Sequence, residues 1–131
     1  MVIRSESGTQ KFDEFEGIVE SVAKEEGLDN NKQYHIVINP TNVTVGGKTG
    51  RIHEWIPMSK RATEEAVPQG SVMDRYLQQV EMCVREAKSS KTVGEELKLL
   101  VGKKFRFKKI KLGKDFDGHP AREYAVPAIP L

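Results

Sequence analysis

Positive charge is concentrated in one short stretch, which runs from Lys103 to Lys114 and contains seven Lys or Arg residues. Phe105 and Phe107 alternate with the first of these cations, a pattern typical of a β-strand with one apolar and one charged face. A row of cations outside a small β-protein is suited to neutralising the phosphates of a nucleic acid. We predict phosphate contacts from Lys104, Arg106, Lys108, Lys109, Lys111 and Lys114.

Base recognition needs flat side chains, and the chain has a single tryptophan, Trp55. Within the apolar segment 51–57, His53 and Trp55 share one strand parity, whereas Ile52 and Ile56 share the other. If the isoleucines face the core, Trp55 and His53 lie outside as a stacking platform. The opposite interpretation, in which Trp55 is the largest core residue, is nearly as strong on sequence alone.

The two-residue period of a strand predicts which of the remaining aromatic side chains face the core. In segment 33–39 this period sends Tyr34 into the core with the neighbouring isoleucines and leaves His35 outside. Phe105 and Phe107 are predicted to be buried. Phe116, in the turn that follows the cationic strand, is a further candidate for base contact, although such a residue more often anchors a loop. The predicted base-contacting residues are therefore His35, His53, Trp55 and Phe116.

The cationic strand has a second interpretation, and its apolar residues do not all fall on one face. Lysines often protect an edge strand from pairing with other chains, so the charge is also consistent with a solvated sheet edge. Ile110 and Leu112 fall in register with the cations, and burying them is expected to require a bulge near Lys108 and Lys109.

Catalytic and metal chemistry find little support. The three histidines and Cys83 lack metal-ligand spacing, and Cys83 falls on an apolar helix face. Segment 45–49 has the glycines and lysine of a phosphate-binding loop but is followed by a predicted strand rather than a helix. We therefore expect no enzyme activity, no metal and no cofactor.

The composition describes one soluble domain. The chain has 131 residues, 37% hydrophobic and 31% charged, with a net charge of +2 and one cysteine. Residues 1–10 are predicted to be a flexible leader and 11–131 a single domain, with a cytoplasmic location and no membrane segment. Charge is segregated, because residues 1–30 carry eight acidic side chains and three basic ones, whereas residues 88–114 carry ten basic and two acidic.

The elements that position these residues follow a simple order. Alternating segments predict three antiparallel strands, the first containing Gly17 as a possible bend. Apolar residues at three- and four-residue steps then predict a helix over 71–88, and a capping signal at Thr92 predicts a shorter one that ends before Gly102. The cationic strand and a last strand at 122–126, closed by Pro127, complete the chain.

This order and two short motifs resemble archaeal replication-protein-A-like OB domains. The motifs are Gly-Lys-Lys-Phe-Arg-Phe at 102–107 and Tyr-Ala-Val-Pro at 124–127, and the arrangement covers residues 12–127. The resemblance implies an all-β fold with a helical insert, a five-stranded OB-fold Greek-key barrel ordered β1-β2-β3-α-β4-β5. It also implies binding of single-stranded DNA, or less favourably RNA, largely without sequence preference. A competing hypothesis is a protein-assembly module that associates with itself or a partner through helix 71–88.

Overall fold

The computed structural model describes residues 13–26, 31–45, 50–113 and 121–131. The predicted leader lies outside them. The elements in chain order are β1 (Glu14–Glu26), β2 (Lys32–Pro40), β3 (Ile52–Pro57), α1 (Val72–Cys83), a 3-10 helix (Arg85–Ser89), α2 (Val93–Lys98), β4 (Lys104–Lys111) and β5 (Glu123–Pro130). The predicted all-β character and the order of strands around a helical insert are confirmed.

The strands form one open five-stranded sheet in the order β3-β2-β1-β4-β5, with every neighbouring pair antiparallel. One face of the sheet packs against the helices, because each strand alternates apolar and polar side chains along at least part of its length. The core combines strand residues such as Phe15, Ile36 and Phe107 with Tyr76 from α1.

Strand β1 is long enough to serve two neighbours. Its first half pairs with β4 and its second half with β2, and the two ladders overlap at Gly17 and Ile18. The predicted irregularity is present but lies three residues beyond the glycine, since the register with β2 shifts between Val19 and Ser21. The resulting bulge at Glu20 bends the strand where it passes from one partner to the other.

Gly17 is required because β1 and β2 approach each other closely at this residue, and not because the strand bends there. A Cβ atom on this residue would stand 2.7 Å from Ile38 Cγ2 and 3.0 Å from the Asn39 carbonyl oxygen. Gly17→Ala should therefore lower the free energy of unfolding by about 1–2 kcal/mol through overpacking between β1 and β2. Gly113→Ala is a matched control, because its Cβ would meet only Val72 Cγ2 at 3.5 Å. Equal urea midpoints for the two variants would contradict this explanation.

Helix α1 begins as predicted but ends earlier. Ser71 accepts a hydrogen bond from the Asp74 backbone N–H, which caps the first turn. The helix ends at Cys83, five residues before the predicted boundary, and a 3-10 helix continues the path. Val84 and Ala87 remain buried across this change. A three-residue spacing suits a 3-10 helix as well as an α-helix, which is why the periodicity concealed the boundary.

Helix α2 and Gly102 follow the prediction, since Thr92 accepts from the Glu95 N–H and Gly102 has a φ of 83°. In the described part of the chain, no helix has the length and apolar character needed to span a membrane.

Two expectations about the last strands are wrong. No register shift occurs at Lys108 or Lys109; the irregularity instead places the extra residue, Ala128, on β5. Strand β5 also continues through Pro127 to Pro130, because a proline is tolerated in an edge strand, where one side of the backbone needs no ladder partner.

Candidate nucleic-acid interface

The outer face of β2 and β3 carries the predicted stacking residues. Ile52 and Ile56 are fully buried, so their neighbours His53 and Trp55 point outward and are partly exposed. Tyr34 is buried and His35 is outward, as parity predicted. The interpretation of Trp55 as a core residue is therefore wrong. Because Trp55 points outward, its neighbour Glu54 points inward and is buried.

The three outward rings form one cluster, called here the ring cluster (His35, His53 and Trp55). His35 lies opposite Trp55 in the β2–β3 register, with ring centroids 4.5 Å apart and planes 12° from parallel. His53 lies 5.0 Å from His35 and 5.7 Å from Trp55, again with nearly parallel rings. The cluster therefore holds three aromatic groups in a common orientation, and a base can stack on any ring face that the other two rings leave open.

Hydrogen bonds fix the ring cluster in place. Glu25 accepts from His35 Nδ1 at 2.8 Å and from Trp55 Nε1 at 3.2 Å. His35 Nε2 lies 2.8 Å from His53 Nδ1. These contacts hold the three rings in one arrangement, which lowers the entropic cost of stacking.

The cations on β4 form a second surface, called here the cation row (Lys104, Arg106 and Lys108). All three are exposed, and Phe105 and Phe107 between them are buried, as predicted. The sheet-edge interpretation is wrong, because β4 lies between β1 and β5.

The cation row faces carboxylates on β1. Glu16 lies 3.1 Å from Arg106 and 3.8 Å from Lys104, and Glu14 lies 3.4 Å from Lys108. Exposed pairs of this kind contribute at most about 1 kcal/mol each, so a phosphate can compete with them. They still reduce the net charge of the surface. Alternation of Glu14 and Glu16 with buried Phe15 was the sequence signal for these outward carboxylates.

The other predicted contacts do not join the cation row. Lys109 lies on the opposite face of β4 and is half-buried. Its positive charge acts to lower the pKa of the buried Glu54. Lys111 is exposed at the end of β4, also on the opposite parity. Lys114 and Phe116 lie outside the described residues.

The ring cluster and the cation row share the outer face of the sheet but are not contiguous. Ala23 pairs with His35, and Glu16 pairs with Arg106. These two β1 residues are seven positions apart, which corresponds to about 20 Å of strand. A bound strand that touched both surfaces would therefore have to follow β1 past the bulge.

Sequence reasoning missed the buried carboxyl of Glu54. It accepts a hydrogen bond from the Ala125 N–H at 3.2 Å and lies 3.6 Å from Arg122. Burial raises its pKa, and the Ala125 N–H, Arg122 and Lys109 act in the opposite direction. Because Ala125 belongs to β5, this hydrogen bond connects a side chain of one edge strand with the backbone of the other. The alternation Ile-His-Glu-Trp-Ile placed Glu54 inside, but nothing in the sequence identified its partner.

Metal and thiol chemistry gain no support. Within the described ranges, no group of three or more His, Cys, Asp or Glu side chains is arranged to hold a metal ion. Burial raises the pKa of the Cys83 thiol, which disfavours the reactive thiolate.

The sequence matches no protein-family model and no curated protein.

Proposed function

We propose that the chain is an OB-fold domain that binds single-stranded nucleic acid, with DNA favoured over RNA. The fold proposal is supported by the element order, by a bent β1 shared between β2 and β4, and by the Glu54–Ala125 contact between β3 and β5. An OB barrel uses its first strand in this way and closes through its third and fifth strands.

The observation that carries the binding proposal is the ring cluster on the β2–β3 face. An exposed aromatic group that serves only packing needs no partners of its own, whereas these rings are held nearly parallel by Glu25 and by each other. Base stacking contributes about 1–3 kcal/mol per base and tolerates any sequence. We infer limited sequence preference for this reason.

The cation row supplies the phosphate contacts in this proposal. A phosphate replaces Glu14 or Glu16 at the cations, so binding exchanges one ion pair for another. The net gain per contact is smaller than for free lysines, and we infer modest affinity with a clear salt dependence. A separation of about 20 Å between the surfaces is compatible with the 4–16 nucleotides that an OB fold covers.

Titration of the intrinsic fluorescence of Trp55, the only tryptophan, tests the proposal directly. We expect quenching by a single-stranded oligonucleotide, little by the corresponding duplex, and affinity that falls as salt rises. Comparison of deoxy- and ribo-oligonucleotides of one sequence tests the preference for DNA. Absence of quenching by any single strand at 20 mM salt would refute the function while leaving the fold proposal standing.

An assembly role is the second candidate. The groove beside the end of α1 favours this role, whereas the apolar face of the helix does not. The apolar face of α1 (Met73, Tyr76, Leu77 and Val80) is buried, so the helix offers no apolar strip of the kind that self-association would need. Met82, however, is 77% exposed, and the adjacent Cys83 borders a groove that reaches Phe105 and Leu131. A dimer in sedimentation-velocity experiments, together with no nucleic-acid binding, would favour this role.

A further inference from the structure

An acidic cleft lies apart from the proposed nucleic-acid interface, between the segment after β3, helix α1 and helix α2. Its volume is about 160 Å³. It is lined by the five carboxyl groups of Glu64, Glu65, Asp74, Glu81 and Glu96 and by one basic residue, Lys91. Such a surface repels phosphate, so any ligand of this cleft is chemically unlike a nucleic acid.

Two of the carboxylates already have donors and form fixed walls. Glu64 accepts from the Tyr34 hydroxyl at 2.8 and 2.9 Å and from the Gly94 N–H at 3.0 Å, and it pairs with Lys24 at 2.6 Å. Burial acts to raise the pKa of Glu64, but these donors bring it below the ordinary value.

Asp74 is similarly satisfied. It accepts from the Gly70 N–H at 2.7 Å and from Gln78 Nε2 at 3.2 Å. Both walls therefore have hydrogen-bond donors of their own without a ligand.

Glu96 is in a different position. The residue is only 6% exposed, and its Oε2 is fully shielded and accepts no hydrogen bond from a donor in the described residues. The carboxyl of Glu81 lies within hydrogen-bonding reach, but two ionised carboxylates lack the proton that such a bond requires. Burial and the contact with Glu81 raise the pKa of Glu96 to about 8. The pair therefore needs either a proton or an external cation.

We propose that this cleft binds the guanidinium group of an arginine side chain carried by a peptide. A guanidinium presents five N–H donors in a planar fork and can serve Glu81 and Glu96 together once the shielded Glu96 oxygen turns toward the cleft, replacing the proton they otherwise share. Val67, Leu77 and Val93 also line the cleft and can contact the aliphatic stem.

Other occupants fit less well. Lys91 forms no ion pair with the cleft carboxylates in the described structure. The carboxylates are not arranged as a metal site within the described ranges. Free arginine adds an α-ammonium and an α-carboxylate beside the guanidinium, whereas an arginine within a peptide has a neutral backbone, so the guanidinium is the only charged group that it brings to the cleft.

Nuclear magnetic resonance titration with N-acetyl-arginine methylamide at pH 8 tests the proposal. We expect saturable shifts of the Gly94 and Leu97 amides, weaker shifts with free arginine, and none with the neutral citrulline analogue. Lysine in the same blocked form should bind more weakly, because an ammonium lacks the planar fork. Equal binding of the citrulline analogue, tighter binding of free arginine, or no shift at 20 mM probe would overturn the proposal.

The affinity should also depend on pH. Binding requires the ionised form of Glu96, and burial and the contact with Glu81 raise the pKa of this carboxyl to about 8, so affinity should fall several-fold or more between pH 8 and pH 6. The other titratable groups lining the cleft are Glu64, Glu65, Asp74 and Lys91. A pH-independent affinity would contradict the requirement for an ionised Glu96.

Two variants test whether Glu81 and Glu96 bind a ligand or only stabilise the fold. Glu81→Gln and Glu96→Gln should each weaken binding of the arginine probe at least tenfold, because a charged hydrogen-bond partner is lost. Both should remain folded, since a glutamine resembles the protonated carboxyl that occupies this position near pH 7. Glu86→Gln is the matched control, because Glu86 is exposed on the 3-10 helix outside the cleft. Unchanged binding in both cleft variants would refute the site.

Discussion

Trp55→Ala is expected to weaken the binding of a single-stranded oligonucleotide by roughly 5- to 150-fold, the range that corresponds to one base stacked on an aromatic side chain. Trp55 is the largest member of the ring cluster, and its truncation also removes the stacking partner of His35. Since the variant has no tryptophan, binding is measured by the fluorescence anisotropy of a labelled oligonucleotide.

Trp55→Phe provides the matched comparison. It keeps a flat ring but loses the hydrogen bond to Glu25, so most of the affinity should remain. Thermal unfolding of both variants shows whether the tryptophan acts instead through stability. Ile52 and Ile56 stay in the core in either case, so the fold should survive. A destabilised Trp55→Ala protein with unchanged affinity would assign the ring cluster to structure alone.

Neutralising the cation row is expected to have an effect of similar size. In Lys104→Gln/Arg106→Gln/Lys108→Gln, three phosphate contacts are lost, which should reduce the slope of log affinity against log salt by about 2. At 0.1 M salt this corresponds to roughly 100-fold weaker binding. Neutral substitutions are preferable to glutamates, because Glu14 and Glu16 already face these positions. An unchanged slope would remove the cation row from the interface.

Glu16→Gln is the opposing control for the cation row. It releases Lys104 and Arg106 from their shared carboxylate, so affinity should rise by up to roughly fivefold, the equivalent of one exposed ion pair. A purely structural role for these ion pairs predicts reduced stability and no change in affinity. The two variants together therefore distinguish a phosphate surface from an ion-paired strand face.

Local pattern was enough to predict most of the strands and helices. Alternation assigned Tyr34 and Phe107 to the core and His35 to the surface, and capping signals located the starts of both helices at Ser71 and Thr92. These features depend on neighbours a few residues apart along the chain, which the sequence displays directly. The helix boundary at Cys83 was missed because a three-residue spacing suits both helix types. The position of the β1 bulge was missed because it depends on how β1 pairs with a distant strand.

The candidate site was less predictable, because its electrostatics depend on strand pairing. The sequence revealed the charge of Lys104, Arg106 and Lys108 but not that each would lie opposite or near a glutamate of β1. Glu14 and Glu16 are about 90 residues away along the chain. The same limitation applies to Glu96 and Glu81, whose proximity arises from the packing of α2 beside α1.

The sequence by itself determined which side chains face the core and where the charge is concentrated, since both are properties of a strand's two-residue period and of composition. Only the tertiary structure decided what those charges face. Pairing of β1 with β4 set carboxylates against the cation row, and pairing of β2 with β3 brought His35 beside His53 and Trp55. Packing of the helices enclosed the Oε2 atom of Glu96 with no donor among the residues that the structure describes. Coulomb and hydrogen-bond energies depend on distance through space, which the order of residues along the chain does not specify.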